Sequence, residues 1–317
     1  MQIHTDIARL PHFKNAVITI GTFDGVHSGH RQIIQQLKTE AAKINGETVL
    51  ITFHPHPRKI VGDTSGVQLL TTPEEKASLL EAEKIDHLVI VPFNEAFANQ
   101  TAAAYVEDFL FKKFRPHTLI IGYDHRFGKK RQGDYQLLEA YGEKLEFTVK
   151  EIPEQVLQEA AISSTRIRKA LLHADIDTAH SLLGYDYFFE GTVIEGDKIG
   201  RTLGYPTANL QLNNEEKLVP GDGIYAVDVE CIASAGKAIE RSASNVQQYK
   251  GMLYIGSRPV VNGKRRVIEV NIFDFNENIY GQLLRVSIKN YIRSDMHFNS
   301  LEALKEQLAK DKISAGG

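Results

Sequence analysis

VITIGTFDGVHSGHRQIIQQL, Val17–Leu37, decides how the first half of the chain folds. Val17–Gly21 is rich in β-branched residues and too short for a helix, so it reads as a buried strand. From Gly29 to Ile44, apolar residues recur at three- and four-residue spacing, the pattern of an amphipathic helix. The segment between them is a strand-to-helix loop, and strand, loop and helix in that order open a parallel sheet.

Working outward, Thr48–Phe53, His87–Phe93 and Thr118–Tyr123 repeat the strand pattern, and Pro73–Glu83 and Thr101–Phe114 repeat the helical one. Thr72-Pro73-Glu74-Glu75 supplies a capping threonine, a proline at the first helical position and a glutamate at the third. The alternation predicts a Rossmann-like α/β/α domain with a mostly parallel sheet. A helical stretch from Ser163 to about Leu183, broken near Asp175, closes this domain, expected over residues 1–183.

Residues 184–317 read differently. Phe188–Glu195, Gly223–Ile232, Lys250–Ile255, Arg266–Phe275 and Leu283–Ile292 are strand-like and joined by glycine-rich turns, which predicts an antiparallel barrel or sandwich. A final helix is expected, capped by Asn299 or Ser300, with Leu301, Leu304 and Leu308 on one stripe. Ser234–Gln248 is small and polar and reads as a hairpin tip or insertion.

The 317 residues carry 42% hydrophobic and 24% charged side chains, ordinary for globular proteins and enough for two domains. No apolar run reaches the roughly 18 to 20 residues of a membrane span. MQIHTDIARLPHF lacks a basic region followed by an apolar one, so no secretory leader is expected. The single Cys231 excludes an internal disulfide and a cysteine-rich zinc site, fits a reducing cytoplasm, and is expected to be inert. A net charge of −3 gives no general attraction to nucleic acid, so anions must be held by local sites.

One such site is His27-Ser28-Gly29-His30, at the start of the first helix. Backbone amides and the helix dipole favour an anion there, Gly25 and Gly29 permit close approach, and two imidazoles can donate to phosphate oxygens. Neither a Walker loop nor a dinucleotide fingerprint is present. Ser163, Ser164, Thr165 and Arg168 are expected at a second helix start, where hydroxyls, amides and a guanidinium can hold phosphates. In the second half, Pro206-Thr207-Ala208-Asn209 in an extended stretch would turn Thr207 and Asn209 to one side, a hydroxyl and a carboxamide suited to Mg²⁺. Period-two alternation in Arg266–Phe275 places Ile268, Val270 and Ile272 on one face and Glu269 and Asn271 on the other.

Together with Gly21-Thr22-Phe23-Asp24-Gly25-Val26-His27, Phe53-His54-Pro55-His56-Pro57, Gly122–Lys129 and Ile162–Arg168, the His27–His30 segment resembles the bacterial bifunctional riboflavin kinase/FMN adenylyltransferase family. The likeness runs over about residues 12–312. It implies a nucleotidylyltransferase domain followed by a six-stranded riboflavin kinase barrel. It also implies two reactions: riboflavin and ATP to FMN and ADP, then FMN and ATP to FAD and pyrophosphate. Mg²⁺ is the implied cofactor, and the implied partners are small molecules, with neither nucleic acid nor membrane. Nothing in the sequence opposes self-association.

The resemblance assigns His27 and His30 to adenylyl transfer. It assigns Gly21, Phe23, Asp24, Gly25, Gly29, Ser163, Ser164, Thr165 and Arg168 to ATP and its phosphates. His56, Asp124 and Arg126 would meet flavin. In the kinase half, Gly191, Gly196, Gly200, Arg201 and Thr207 would hold ATP, Thr207 and Asn209 the metal, and Arg293 the flavin. Glu269 would accept the proton of the ribityl 5′-hydroxyl. Gly223–Val227 and Gly251–Pro259 are read as barrel framework. The chain has His125, Asn271 and Asp295 where the family often has an aromatic residue, histidine and glutamate. Two alternatives are an adenylyltransferase for another phosphate ester and a flavin-binding carrier with decayed catalysis. The carrier predicts loss of His27, His30, Asn209 and Glu269, and all four are present.

Overall fold

The computed structural model describes residues 1–61, 68–122, 125–196, 200, 203–232, 247–260 and 263–317, with only the backbone of 157–162, 259–260 and 263–265. Asp124, Arg201 and nearly all of the Ser234–Gln248 insertion lie outside the described residues. The chain divides into two compact units, Met1–Ser164 and Thr165–Gly317. That division and the expected boundary after residue 183 bracket the segment Thr165–Leu183.

In the first unit, strands β1 (Gln2–His4) and β2 (Val17–Ile20) precede helix α1 (Ser28–Lys43) and β3 (Thr48–His54). Helix α2 (Pro73–Ala82) leads to β4 (His87–Pro92). A helical run of Ala102–Ala104, a π-helical Tyr105–Phe111 and Lys112–Phe114 leads to β5 (Thr118–Gly122). Helix α3 (Tyr135–Leu145) precedes β6 (Thr148–Ile152). All pairs are parallel, in the order β1-β4-β3-β2-β5-β6.

The pleat sorts the core onto two faces. Ile18, Val49, Ile51 and Val89 pack with Tyr105, Phe109 and Phe114, whereas Val17, Leu50 and Leu88 pack with Ile34, Leu37 and Leu80. This is the α/β/α arrangement, with β-branched strands buried on both sides. The expected capping box of α2 forms, with Thr72 accepting from Glu75 N and Glu75 returning a bond to Thr72 N. Connections run in opposite directions from β2 and β5, so the C-terminal ends of these two neighbours form the switch point where open α/β sheets bind ligands.

Helices α4 (Glu154–Leu172) and α5 (Ile176–Leu183) follow. The start of α4 corrects an expectation: Ser163, Ser164 and Thr165 lie in its middle, nine or more residues past its first, so their amides do not form a helix N-terminus. A Ser-Ser-Thr run favours a cap locally, but here the helix begins after Pro153 and carries straight through it.

The second unit closes a barrel from β7 (Phe188–Ile194), β8 (Ala208–Leu212), β9 (Gly223–Ile232), β10 (Gln248–Val260), β11 (Gly263–Ile272) and β12 (Leu283–Arg293). The order is β10-β11-β8-β7-β12-β9, all antiparallel, and closure leaves no unpaired sheet edge. Helix α6 (Leu301–Ser314) is capped by Ser300 and lies against the outside of the wall, with Leu308 and Ala315 on Ala226, Met252 and Phe273. Leu301 does not share this stripe with Leu304 and Leu308; it is 62% exposed in the first turn.

Candidate active sites

The first site is built on the loop after β2. Phe23, Gly25 and Val26 have φ of 45°, 87° and 38°. For a β-branched residue such as Val26 this is a strained conformation, of the kind found at functional sites. Three side chains hold the loop in place. The buried Asp24 carboxylate accepts from Leu70 N at 3.1 Å and Thr71 N at 3.0 Å, while Gly25 N donates to Thr71 Oγ1 at 3.1 Å. The buried ammonium of Lys76 donates to the Thr22 carbonyl at 2.6 Å and to Thr52 Oγ1 at 3.2 Å. Burial pushes Lys76 down to about 8, against an opposing pull from Asp24.

Lys76 was hidden in the sequence because a lysine in a helix reads as a solvated face. One signal existed: it sits beside Ala77 and one turn before Leu80, on the apolar stripe of α2.

The two histidines stack, with ring centroids 3.7 Å apart and planes 15° apart, and Phe23 tilts against His30 at 5.0 Å. His27 caps α1: its Nδ1 accepts from His30 N at 3.4 Å. Its Nε2 lies 2.8 Å from Ser164 Oγ. His27 is completely buried and His30 half-buried. Of the remaining expected residues, Gly21 lies against the Phe23 ring, Gly29 is buried in the first turn of α1, and Ser163 is buried in α4. Thr165 and Arg168 lie further along α4, exposed and half-buried.

His56 accepts from Arg58 N at 3.2 Å and lines a small cavity with Asp24, Thr52 and Lys76. Arg126 is exposed. His125 lies near Tyr105 and Phe127, and burial, with Arg131 and Arg126, pushes its imidazole down to about 4, so it is neutral. Phe53, Phe93 and Phe97 form an aromatic cluster by the C-terminal ends of β3 and β4 that the sequence did not single out.

The second site lies on the barrel wall. Asn209 and Glu269 stand directly opposite in the β8–β11 pair, hence on one face. Thr207 Oγ1 donates to Glu269 Oε2 at 3.2 Å, joining the third side chain to the set. Asn271 donates from Nδ2 to the Pro206 carbonyl at 2.6 Å, fixing the turn that presents Thr207. Gly196 is required by a close approach: a Cβ there would lie 2.0 Å from the Asn209 carboxamide. A Cβ on Gly200 would meet the Tyr205 carbonyl at 2.3 Å, and one on Gly191, in β7, would meet the Gln211 carbonyl at 3.1 Å.

Two clefts meet at Thr207. One, of about 640 Å³, runs over Val193, Ala208 and Ile272 to the loop Phe275–Tyr280. The other, of about 350 Å³, lies between the wall and α6, with Glu269, Tyr254, Met252, Phe298, Leu304 and Leu308 along it. Tyr254 stands opposite Glu269 on β10 and donates to Asp295 Oδ2 at 2.9 Å; burial, aided by that carboxylate, pushes its phenol up to about 12. Arg293 reaches this cleft but is bound to the buried Asp311 of α6 through Nε at 2.9 Å and Nη2 at 2.6 Å. Arg258, in a segment expected to be framework only, reaches Glu269 at 2.8 Å. Cys231 is half-buried, and burial raises its thiol, as suits an inert cysteine.

The oxygen donors of Thr207 and Asn209 fit a hard cation held mainly by substrate phosphates and water. Among the described residues no cluster of three or more His, Cys, Asp or Glu could hold a metal alone, and no helix is long and apolar enough to cross a membrane.

Family models match both units: FAD synthetase over residues 10–166 and riboflavin kinase over residues 183–316. A bifunctional riboflavin kinase/FMN adenylyltransferase of Haemophilus influenzae is 35% identical over 302 residues, covering 95% of this chain and 94% of its own. That of Buchnera aphidicola is 37% identical over 301 residues, covering 94% and 92%. A solved structure described as a macrolide-efflux protein from Streptococcus pneumoniae superposes with a TM-score of 0.82 at 29% identity, over 100% of this chain and 98% of that one.

Proposed function

This chain belongs to the bifunctional riboflavin kinase/FMN adenylyltransferase family, and from that premise we propose how its residues divide the two reactions. The protein phosphorylates riboflavin to FMN with ATP and adenylylates FMN to FAD with release of pyrophosphate. The kinase reaction belongs to the barrel and the adenylyl transfer to the parallel-sheet unit.

In the kinase, Glu269 takes the proton of the riboflavin 5′-hydroxyl, with Asn209 and Thr207 beside it for the phosphates and Mg²⁺. The observation that carries this reading is the Thr207–Glu269–Asn209 set on one face of the wall. The apolar cleft under α6 suits the flat isoalloxazine, and the more polar cleft by Asn276, Glu277 and Asn278 suits the nucleotide. Bound there, Mg²⁺ would neutralise phosphate charge.

In the adenylyltransferase, the nucleophile is the FMN phosphate, ionised near neutrality because its second pKa is about 6, so no general base is needed. Catalysis is then positioning and charge stabilisation, with His30 toward the α-phosphate of ATP and His27 ordering the turn. Gly21, Phe23, Gly25 and Gly29 shape the loop, Asp24 holds it, and Ser163, Ser164, Thr165 and Arg168 offer side chains along α4. His56, Asp124 and Arg126 belong to the flavin side of this site, and Gly191, Gly196, Gly200 and Arg201 to the nucleotide side of the kinase. We place the enzyme in the cytoplasm.

A chromatographic time course with riboflavin, ATP and Mg²⁺ tests the reading. Riboflavin should pass through FMN to FAD, and chelating Mg²⁺ should stop both steps. Turnover that survives chelation would remove Thr207 and Asn209 as metal-side ligands.

A further inference from the structure

Two guanidinium groups line the cleft above Glu269, and they differ in what they have left to give. Arg293 is fully engaged: Nε and Nη2 bond Asp311, and Nη1 donates to the Ser294 carbonyl at 2.9 Å. Arg258 uses one nitrogen only. Its Nη2 lies 2.8 Å from Glu269 Oε1 and 2.9 Å from Oε2, while Nε and Nη1 make no hydrogen bond among the described residues. The side chain is 34% exposed, so these donors are open to whatever enters the cleft. Arg258 follows Tyr254 by four residues on β10, on the same face, and Tyr254 stands opposite Glu269.

We propose that Arg258 is a catalytic residue of phosphoryl transfer, its Nη1 amino group binding a γ-phosphoryl oxygen while Nη2 keeps Glu269 aimed at the riboflavin hydroxyl. The inference rests on the reading of Glu269 as proton acceptor. A proton acceptor lies about 3 Å from the hydroxyl it serves. That oxygen approaches phosphorus at about 3 to 3.5 Å. A guanidinium bonded to the acceptor is therefore within reach of the equatorial phosphoryl oxygens.

In the step itself, the 5′-oxygen forms a bond to the γ-phosphorus and gives its proton to Glu269. The bond from that phosphorus to the β,γ-bridging oxygen breaks, ADP leaves with the electron pair, and Glu269 releases the proton to water. Negative charge spreads over the equatorial oxygens of a loose transition state, and the delocalised positive charge of the guanidinium, donating through Nη1, stabilises it. A lysine would present a single point of charge instead.

The test uses the full-length protein and the variants Arg258→Gln, Arg258→Ala and Glu269→Gln. Arg258→Gln should lower kcat for FMN formation by about 10³-fold or more, the scale of an arginine acting on a transferring phosphoryl group. KM for riboflavin and ATP should stay within about fivefold, and riboflavin binding, followed by fluorescence quenching, should persist. Added guanidinium ion should restore part of the rate of Arg258→Ala and none of that of Glu269→Gln. An Arg258→Gln enzyme with kcat within tenfold of the parent overturns the proposal, as does a loss carried entirely by KM. If Glu269→Gln keeps the parent rate, the assignment of Glu269 falls, and the kcat of Arg258→Gln still decides the role of the arginine.

Discussion

Thr207 and Glu269 are joined by a 3.2 Å hydrogen bond across 62 residues of sequence, so the turn that carries the PTAN segment and the strand that carries the carboxylate are set against each other before any substrate arrives. Asn271 reinforces the arrangement from the same strand by holding the Pro206 carbonyl.

Glu269→Gln keeps the shape and the acceptor for Thr207 but removes the proton acceptor. FMN formation should fall by about 10² to 10⁴-fold, the usual scale for a positioned base. FMN-to-FAD conversion by the same preparation should be unchanged. A chromatographic assay of each half-reaction separates the two, and equal loss of both would break the division of labour.

The stacked histidines should separate stability from chemistry. His27→Ala removes a helix cap and the contact with Ser164, and should cost about 1 kcal/mol, read as a lower melting temperature. His30→Ala should leave the melting temperature nearly unchanged while abolishing FAD formation and sparing FMN formation.

Lys76 gives the adenylyltransferase an alkaline limit. Its proton is lost near pH 8, and with it the charge that grips the Thr22 carbonyl. FAD formation should decline through about pH 8, and the decline should be missing from the pH profile of FMN formation. The stability effect has the opposite sense. The unfolded lysine keeps its proton to about 10.4, so the folded state is penalised below pH 8 and relieved as pH rises from 8 to that value. Relative to Lys76→Met, the parent should therefore gain stability over that interval in denaturant titrations.

Asp311 is 1% exposed and receives both arms of Arg293, fastening α6 to β12. Asp311→Ala leaves that guanidinium without its counter-charge and should destabilise the barrel by about 3 kcal/mol. The kinetic signature should be a raised KM for riboflavin, since α6 forms one side of the apolar cleft, with FAD formation from FMN preserved.

Legibility followed burial. The β2 strand and α1 were plain because one is a short run buried at all four positions and the other repeats buried residues at three- and four-residue spacing, and the α2 cap was plain because threonine, proline and two glutamates each suit their place. Strand β6, with the sequence TVKEI, was invisible because it is an edge whose outer residues are polar, and β1 is only three residues long. The short ANLQL of β8 is half polar and gains its strand character from two neighbours that are distant in sequence. The start of α4 was misplaced because local capping preference lost to a longer helix. At the sites, residue types and spacing pointed to Thr207 and Asn209, and the family resemblance pointed to Glu269. Lys76 and Arg258 emerged only with the fold, since what matters in each is the partner that topology brings to it.

The strand orders also set a sequence in time. The parallel sheet has all its strands once Ile152 has been made. The barrel cannot close until Leu283–Arg293 emerges, because that last stave pairs with both β7 and β9. Synthesis from the N-terminus thus completes the two machines in the reverse of their metabolic order. A ribosome that stops early leaves a fragment with the parts that consume FMN and without those that make it.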